Sequence, residues 1–129
     1  MGTGDEKPSA TLLGLVNGFQ VSQAIHVAAT LGIADLLKNG PRNSDDLAAA
    51  TGTHPRSLYR LLRALASVGV VREDTNHRFA LTPIGDCLRS DATESIGPWA
   101  VFIGQPGYQQ AWGHLLLASS GRCCAQSLP

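Results

Sequence analysis

The chain has 129 residues and a mass of 13.6 kDa, which fits one ordinary domain or one piece of a larger protein. Ten Lys and Arg residues balance ten Asp and Glu residues, and this neutral charge excludes the basic composition typical of a dedicated nucleic-acid-binding protein. Hydrophobic residues make up 43% of the chain and charged residues 16%, which excludes a disordered protein and leaves more apolar surface than a lone monomer tolerates. We therefore expect a globular protein that forms homo-oligomers.

The N-terminal part is predicted to be apolar and helical after a disordered stretch over residues 1–10. One face of a helix is indicated by apolar residues at helical spacing, namely Leu12, Leu15, Val16 and Phe19. Ile25 continues this apolar surface, and Gly32 suits the end of the helix. Residues 11–34 contain no charged side chain, but Asn, Gln, Ser and Gly interrupt them, so we expect no membrane span.

The middle of the chain predicts a winged helix-turn-helix. Ser44 is a candidate N-cap, and Gly52 ends the short helix that follows. Pro55 suits the first turn of a second helix, whose apolar face is formed by leucines. Residues 70–74 and 78–81, separated by turn residues, predict a two-stranded β-wing. The expected fold class is mainly α, with this wing and with further helices at both ends of the chain.

Three arginines lie on the predicted second helix opposite its leucines. Arg56, Arg60 and Arg63 are spaced so that they face one side, where phosphate contacts could form. Residues 44–78 nevertheless contain five arginines and four acidic residues, a net charge of only +1. Counterion release would then be weak, so DNA binding is not expected. A winged-helix transcriptional regulator remains the alternative hypothesis, with these three residues facing DNA.

Four segments carry a family resemblance, at residues 24–37, 46–52, 58–65 and 79–83: AIHVAATLGIADLL, DLAAATG, LYRLLRAL and FALTP. Together they resemble the N-terminal dimerisation domain of S-adenosylmethionine-dependent O-methyltransferases of the bacterial small-molecule type. The resemblance covers roughly residues 10–116. It implies that the winged helix supports an intertwined homodimer through its flanking helices, and that it forms part of the wall of a substrate pocket.

No catalytic machinery of that family matches this sequence. The resemblance places the methyl-donor site and the general base in a following domain, which has a glycine-rich strand-to-helix turn that is not found here. The four histidines are more than 20 positions apart, so they give no metal-ligand spacing. We expect no catalytic, cofactor-binding or metal-binding residue and no enzyme activity of the chain as it stands. S-adenosylmethionine would belong to full-length relatives.

The C-terminal part combines an uncharged aromatic segment with an irregular end. Residues 11–116 are predicted to form the domain, and residues 117–129 an irregular tail without helical periodicity, which suggests a truncation or a reading-frame change. The odd cysteine count, from Cys87, Cys123 and Cys124, gives no disulfide framework and favours the reducing cytoplasm. Cys87 is expected to be a small buried apolar residue.

Aromatic and apolar residues supply two overlapping site hypotheses. The expected dimer interface consists of Leu12, Leu15, Val16, Phe19, Ile25, Trp99 and Phe102. The expected wall for a small aromatic ligand consists of Trp99, Phe102, Tyr108 and Trp112. The first hypothesis makes the protein a homodimerisation domain, and the second makes it a stand-alone binder of aromatic ligands.

Overall fold

The structure is a computed structural model, and it describes residues 7–121. It is mainly helical with a small antiparallel sheet, as the sequence predicts. Its elements in chain order are α1 (Pro8–Val16), α2 (Gly18–Leu31), α3 (Ile33–Leu37), β1 (Arg42–Asn43), α4 (Ser44–Thr51), α5 (Pro55–Ser67), β2 (Val71–Glu73), β3 (Arg78–Leu81), α6 (Pro83–Asp86), α7 (Gly97–Ile103), α8 (Pro106–Gly113) and α9 (Leu115–Ser119).

The helix-turn-helix of α4 and α5 is confirmed, and local backbone chemistry sets its turn. Gly52 ends α4 in the left-handed region at φ 69°, where a side chain would be strained. Pro55 is the first residue of α5, and His54 caps that helix by accepting a hydrogen bond from the backbone N–H of Ser57. Helix α4 thus ends at Thr51 and α5 begins at Pro55, so the turn between the two helices is short.

The wing has one more strand than the sequence predicts. Strands β2 and β3 form the expected antiparallel pair, with Arg72 opposite Ala80. The short β1 pairs with the other edge of β3, so the order is β1-β3-β2. Because this pairing holds Asn43 in an extended conformation, Asn43 and not Ser44 is the N-cap of α4, and its side chain accepts a hydrogen bond from Asp46 N–H at 2.8 Å.

The core lies between α2, α3, the helix-turn-helix and the wing. Phe79 on β3 is fully buried, and Tyr59 on α5 packs edge-on against its ring at 5.8 Å between centroids. The remaining buried members are aliphatic: Ala28, Ile33, Leu37, Leu47, Ala48, Leu58, Leu62, Leu65, Val70 and Val71. This core accounts for the leucine face of α5, and it leaves α1, α8 and α9 without a buried residue.

The two ends of the described chain are helical further outward than expected. Helix α1 begins at Pro8, inside the stretch predicted to be disordered, and α9 extends to Ser119, inside the predicted irregular tail. Residues 1–6 and 122–129, with Cys123 and Cys124, lie outside the described residues. Cys87 is exposed, so its predicted burial is wrong. Within residues 7–121, the helices are too short or too polar to cross a bilayer.

Candidate functional site

Helix α1 is an apolar arm that the rest of residues 7–121 leaves uncovered. Every residue from Pro8 to Val16 is exposed, and exposure reaches 61% for Leu12, 73% for Leu15 and 62% for Val16. Phe19, in the first turn of α2, is 66% exposed. The predicted single helix bends at Asn17, which separates α1 from α2. Four of the seven predicted interface residues thus form one exposed apolar surface at this end of the molecule.

Ile25 is placed differently from the other predicted interface residues. It is partly buried and packs against the core of its own chain. Its position on α2 explains the difference, because the same side of this helix carries Ala28, which is 1% exposed. The structure therefore separates Ile25 from the exposed arm, although the sequence spacing suggests one continuous surface.

The structure brings the four predicted aromatic residues into mutual contact on α7 and α8. We call Trp99, Phe102, Tyr108 and Trp112 the aromatic cluster. The Trp99 and Phe102 rings stack with centroids 5.6 Å apart, and the Tyr108 ring meets Phe102 edge-on at 5.3 Å and Trp112 at 6.3 Å. Trp99, Phe102 and Trp112 are each more than half exposed. The cluster is a continuous aromatic surface rather than four scattered side chains.

A contact between α2 and α7 positions the aromatic cluster. The Nδ1–H of His26 donates to the carbonyl of Ala100 at 3.0 Å, since a carbonyl oxygen can only accept. The imidazole ring lies against Gly104, where any Cβ atom would overlap it. The side chains of Gln105 and Gln109 donate to further carbonyls at the end of α7. No pattern in the sequence points to the role of His26, because its partner is a backbone carbonyl 74 residues away.

One of the three arginines on α5 binds within the fold. Arg63 donates to the hydroxyl of Tyr59 and pairs with Glu73 at 3.3 Å, which ties α5 to the wing. The hydrogen bond with Tyr59 raises the pKa of Arg63, and the hydrogen bond from His77 lowers the pKa of the Glu73 carboxyl. Arg56 and Arg60 are exposed. The Glu73 carboxylate of the wing therefore neutralises Arg63, which leaves Arg56 and Arg60 on the predicted basic face.

An apolar groove lies between α2 and α5. We call it the α2–α5 groove; its volume is about 190 Å³ and its lining consists of Val27, Leu31, Thr53, Ser57, Leu58 and Leu61. Its exposed lining is apolar and includes no charged residue. Elsewhere in residues 7–121, the side chains that commonly ligate metals form no cluster of three that could hold an ion.

The family of the chain follows from comparison with known proteins. A family model described as the O-methyltransferase dimerisation domain matches residues 13–91. The chain belongs to this family. The match contains the helix-turn-helix, the wing and only residues 13–16 of the exposed arm, and it ends before the aromatic cluster.

Relatives of the dimerisation domain are parts of longer methyltransferases. A phenazine O-methyltransferase, PhzM, of Lysobacter antibioticus is 41% identical over 108 residues, which is 84% of this chain and 31% of that protein. The crystal structure of an N,N-8-amino-8-demethyl-D-riboflavin dimethyltransferase from Streptomyces davawensis superposes with a TM-score of 0.82 at 34% identity, over 96% of this chain and 36% of that chain. Human N-acetylserotonin methyltransferase, in a complex with SAM, gives a TM-score of 0.82 at 26% identity, over 93% of this chain and 36% of that chain. This chain thus spans about a third of each of these relatives.

Proposed function

We propose that these 129 residues form a homodimerisation domain whose interface is built on the exposed arm and on Trp99 and Phe102. The observation that carries the proposal is the arm itself, an apolar helix that the other described residues leave without a buried side chain. Such a surface costs free energy in water, and pairing with a second copy removes it. Ile25, which packs against the core of its own chain, would contribute only through its exposed part.

The size and chemistry of the surface favour a permanent dimer. The arm and Phe19 carry no charge, and neither do Trp99 and Phe102, so a second copy meets no uncompensated ion. Obligate homodimers bury more than about 2,000 Å² in total, with an apolar centre. We expect the dimer of this chain to exceed that area.

Sedimentation of the wild-type chain and of Phe19→Asp tests the proposal. Burying a whole Phe side chain contributes about 1.5–3 kcal/mol. Because Phe19 is 66% exposed, its burial would contribute about 1–2 kcal/mol per chain, or about 2–4 kcal/mol per dimer. The variant should therefore raise the dimer dissociation constant roughly 30- to 1,000-fold.

The neighbouring exposed residue supplies the control. Gln20→Asp introduces the same charge one position further along α2 without removing an apolar side chain, and it should weaken the dimer far less. A wild-type chain that sediments as a folded monomer at micromolar concentration would contradict the proposed function. Equal dissociation constants for the two variants would show that Phe19 does not lie in the interface.

We also propose that the chain as it stands neither binds S-adenosylmethionine nor transfers a methyl group. Nucleotide-cofactor sites in doubly wound parallel sheets use a glycine-rich turn between a strand and the following helix. The described residues instead form helices and one antiparallel sheet of three short strands. Titration calorimetry with the donor should give no heat of binding up to millimolar ligand, whereas saturable binding at micromolar concentration would contradict this. The cytoplasm remains the expected location, on the cysteine pattern alone.

The aromatic cluster supports a second candidate function, a binding wall for small aromatic ligands. Its four rings contact one another, and the three more exposed ones, Trp99, Phe102 and Trp112, offer ring faces or edges to a planar ligand. The relative from Lysobacter antibioticus is named for a phenazine, which is a planar aromatic compound. A fluorescence titration with phenazine should quench the two tryptophans, and Phe102→Ala should weaken binding. Quenching that does not saturate, or that this variant leaves unchanged, would contradict the candidate.

A further inference from the structure

A cavity lies between α2, α3, residues 88–97 and the beginning of α7. Its volume is about 280 Å³, and none of its lining residues belongs to the proposed dimer interface or to the aromatic cluster. We propose that this cavity binds a small molecule with an apolar body and a cationic amine, and that the Asp35 carboxylate pairs with the amine. We call it the Asp35 cavity.

Small side chains leave room for such a ligand. The lining consists mainly of alanine, glycine and serine, and its larger aliphatic members are Leu88 and Val101. Cavities for drug-sized ligands measure about 300–1,000 Å³. A volume of about 280 Å³ therefore suits a compact ligand. The cavity opens to solvent, so the ligand can enter without a change of fold.

Asp35 is the charged residue of the lining, and its carboxylate has capacity for a ligand. It is partly buried, and its Oδ1 accepts a hydrogen bond from the backbone N–H of Ser90 at 2.9 Å. It forms no ion pair with any Lys, Arg or His among residues 7–121. A carboxylate has about four acceptor positions, and its hydrogen bonds with an ammonium group are charge-assisted. An amine in the cavity would therefore supply the counter-ion that Asp35 lacks in this part of the chain.

The basic residues near the Asp35 cavity are directed at another acid. Arg89 pairs with Asp91 at 2.9 Å. The hydrogen bond from Arg89 lowers the pKa of the Asp91 carboxyl, and the charge of Lys38 lowers this pKa further. Residues 32–38 and 86–97 together contain four acidic and two basic residues, a net charge of −2. Because an apolar cleft with excess negative charge attracts cations, the surroundings favour a cationic ligand over an anionic one.

Two neighbouring faces of α7 separate the Asp35 cavity from the aromatic cluster. Pro98 and Val101 are three residues apart and line the cavity. Trp99 and Phe102 are also three residues apart, one position further along the helix, and they stack within the cluster. A cation can also bind the face of a tryptophan ring. The experiment must therefore report where the ligand binds as well as how tightly.

An NMR titration of the ¹⁵N-labelled full chain measures both. The probe is cyclohexylmethylammonium chloride, which joins a primary amine to a compact apolar ring, and cyclohexylmethanol is its neutral counterpart. The amine should shift the amide signals of Gly32, Asp35 and Gly97 in a saturable manner, with a Kd below about 1 mM. The signals of Tyr108 and Trp112 should not follow this saturation curve. The alcohol should bind at least roughly tenfold more weakly, because it cannot pair with the carboxylate.

A pair of isosteric substitutions tests the role of the carboxylate. Asp35→Asn removes the charge but keeps an oxygen that can accept from the Ser90 N–H, and it should raise the Kd of the amine at least roughly tenfold. Asp91→Asn makes the same change of net charge at an exposed carboxylate outside the lining, and it should change the Kd less than about twofold. Circular dichroism checks that both variants keep the helical content of the wild type.

Filling the cavity is an independent test that leaves every charge in place. Ala29 lies in the lining on α2 and is partly exposed, and leucine is a good helix former. Ala29→Leu should therefore keep the fold and abolish saturable binding of the amine. Unchanged binding by this variant would overturn the proposal even if Asp35→Asn failed to fold.

The remaining outcomes decide the proposal separately from the dimer. Saturable shifts confined to Tyr108 and Trp112 would assign the amine to the aromatic cluster and overturn the Asp35 cavity. Equal affinities for the amine and the alcohol, or equal effects of Asp35→Asn and Asp91→Asn, would overturn it as well. The absence of saturable shifts up to about 10 mM amine would have the same consequence. None of these results bears on homodimerisation, because the proposed interface contains no lining residue of the cavity.

Discussion

The contact between Gly104 and His26 allows a direct test of what stabilises the packing of α7 on α2. Gly104 is buried at the end of α7, and a Cβ atom there would overlap the imidazole ring of His26. The backbone of Gly104, at φ −87° and ψ −4°, has a negative φ, so alanine needs no left-handed conformation there. The cost of Gly104→Ala is therefore steric and not conformational.

The size of the effect follows from two contributions. Overpacking a well-packed site costs about 1–3 kcal/mol. Displacing the ring also breaks the 3.0 Å hydrogen bond from His26 to Ala100, and such a bond contributes about 0.5–1.5 kcal/mol. Together they give about 2–4 kcal/mol. At about 4 °C per kcal/mol for a chain of this length, Tm should fall by roughly 8–16 °C.

Calorimetry at one fixed protein concentration measures this change, because the proposed dimer would make Tm depend on concentration. Gly107→Ala is the matched control: its Cβ would meet nothing within 4 Å on α8, so helix propensity alone should hold or raise Tm. Adding His26→Ala to Gly104→Ala frees the space for the new methyl group, so the double variant should lose less stability than the sum of the two single losses. A Tm of Gly104→Ala within about 2 °C of wild type would refute the reasoning.

Three further predictions concern the helix-turn-helix and the wing. Asn43→Ala removes the cap of α4 and should cost about 1 kcal/mol of unfolding free energy in urea denaturation, whereas Asn43→Ser should largely retain it. Gly85→Ala drives a Cβ atom into the backbone carbonyl of Val70, which cannot turn aside, so this variant should be less soluble and unfold at lower temperature than wild type; an unchanged Tm would contradict the close approach. The hydrogen bond from His77 lowers the pKa of the Glu73 carboxyl. Ionised Glu73 therefore stabilises the fold fully above its unfolded pKa of about 4.3. This stabilisation is lost as the pH falls through the pKa of Glu73 in the folded protein. Thermal melts from pH 6 to pH 2 should show this loss in wild type and a smaller one in Glu73→Gln, and parallel curves would argue against the network.

Much of this protein is determined by local sequence. Gly52 and Pro55 specify the turn between α4 and α5, because one tolerates a left-handed backbone and the other begins a helix. Leucine spacing specifies the buried face of α5, and two short runs of strand formers specify β2 and β3. These interactions join residues close together in the chain, so the sequence pattern alone reveals them. The four segments that carry the family resemblance were therefore enough to indicate the family.

Other features depend on contacts between distant segments. Asn43 and Ser44 are equally good caps, and only the pairing of β1 with β3 selects Asn43. Cys87 follows α6 (Pro83–Asp86) directly, and only the packing of that helix decides that Gly85 is buried and Cys87 exposed. The separation of Ile25 from the arm reflects the packing of α2 on the core, which its helical spacing does not encode.

The exposed arm and the aromatic cluster also depend partly on local sequence and partly on tertiary structure. The sequence by itself determined that an uncharged apolar N-terminal helix and four aromatic residues exist, since both are matters of composition and spacing. Only the tertiary structure decided that the helix remains uncovered and that the aromatic residues meet on α7 and α8. The physical reason is that burial and ring stacking depend on how distant segments pack. Helix α2 holds α7 through the contact of His26 with Ala100 and Gly104, which lie 74 and more residues further along the chain.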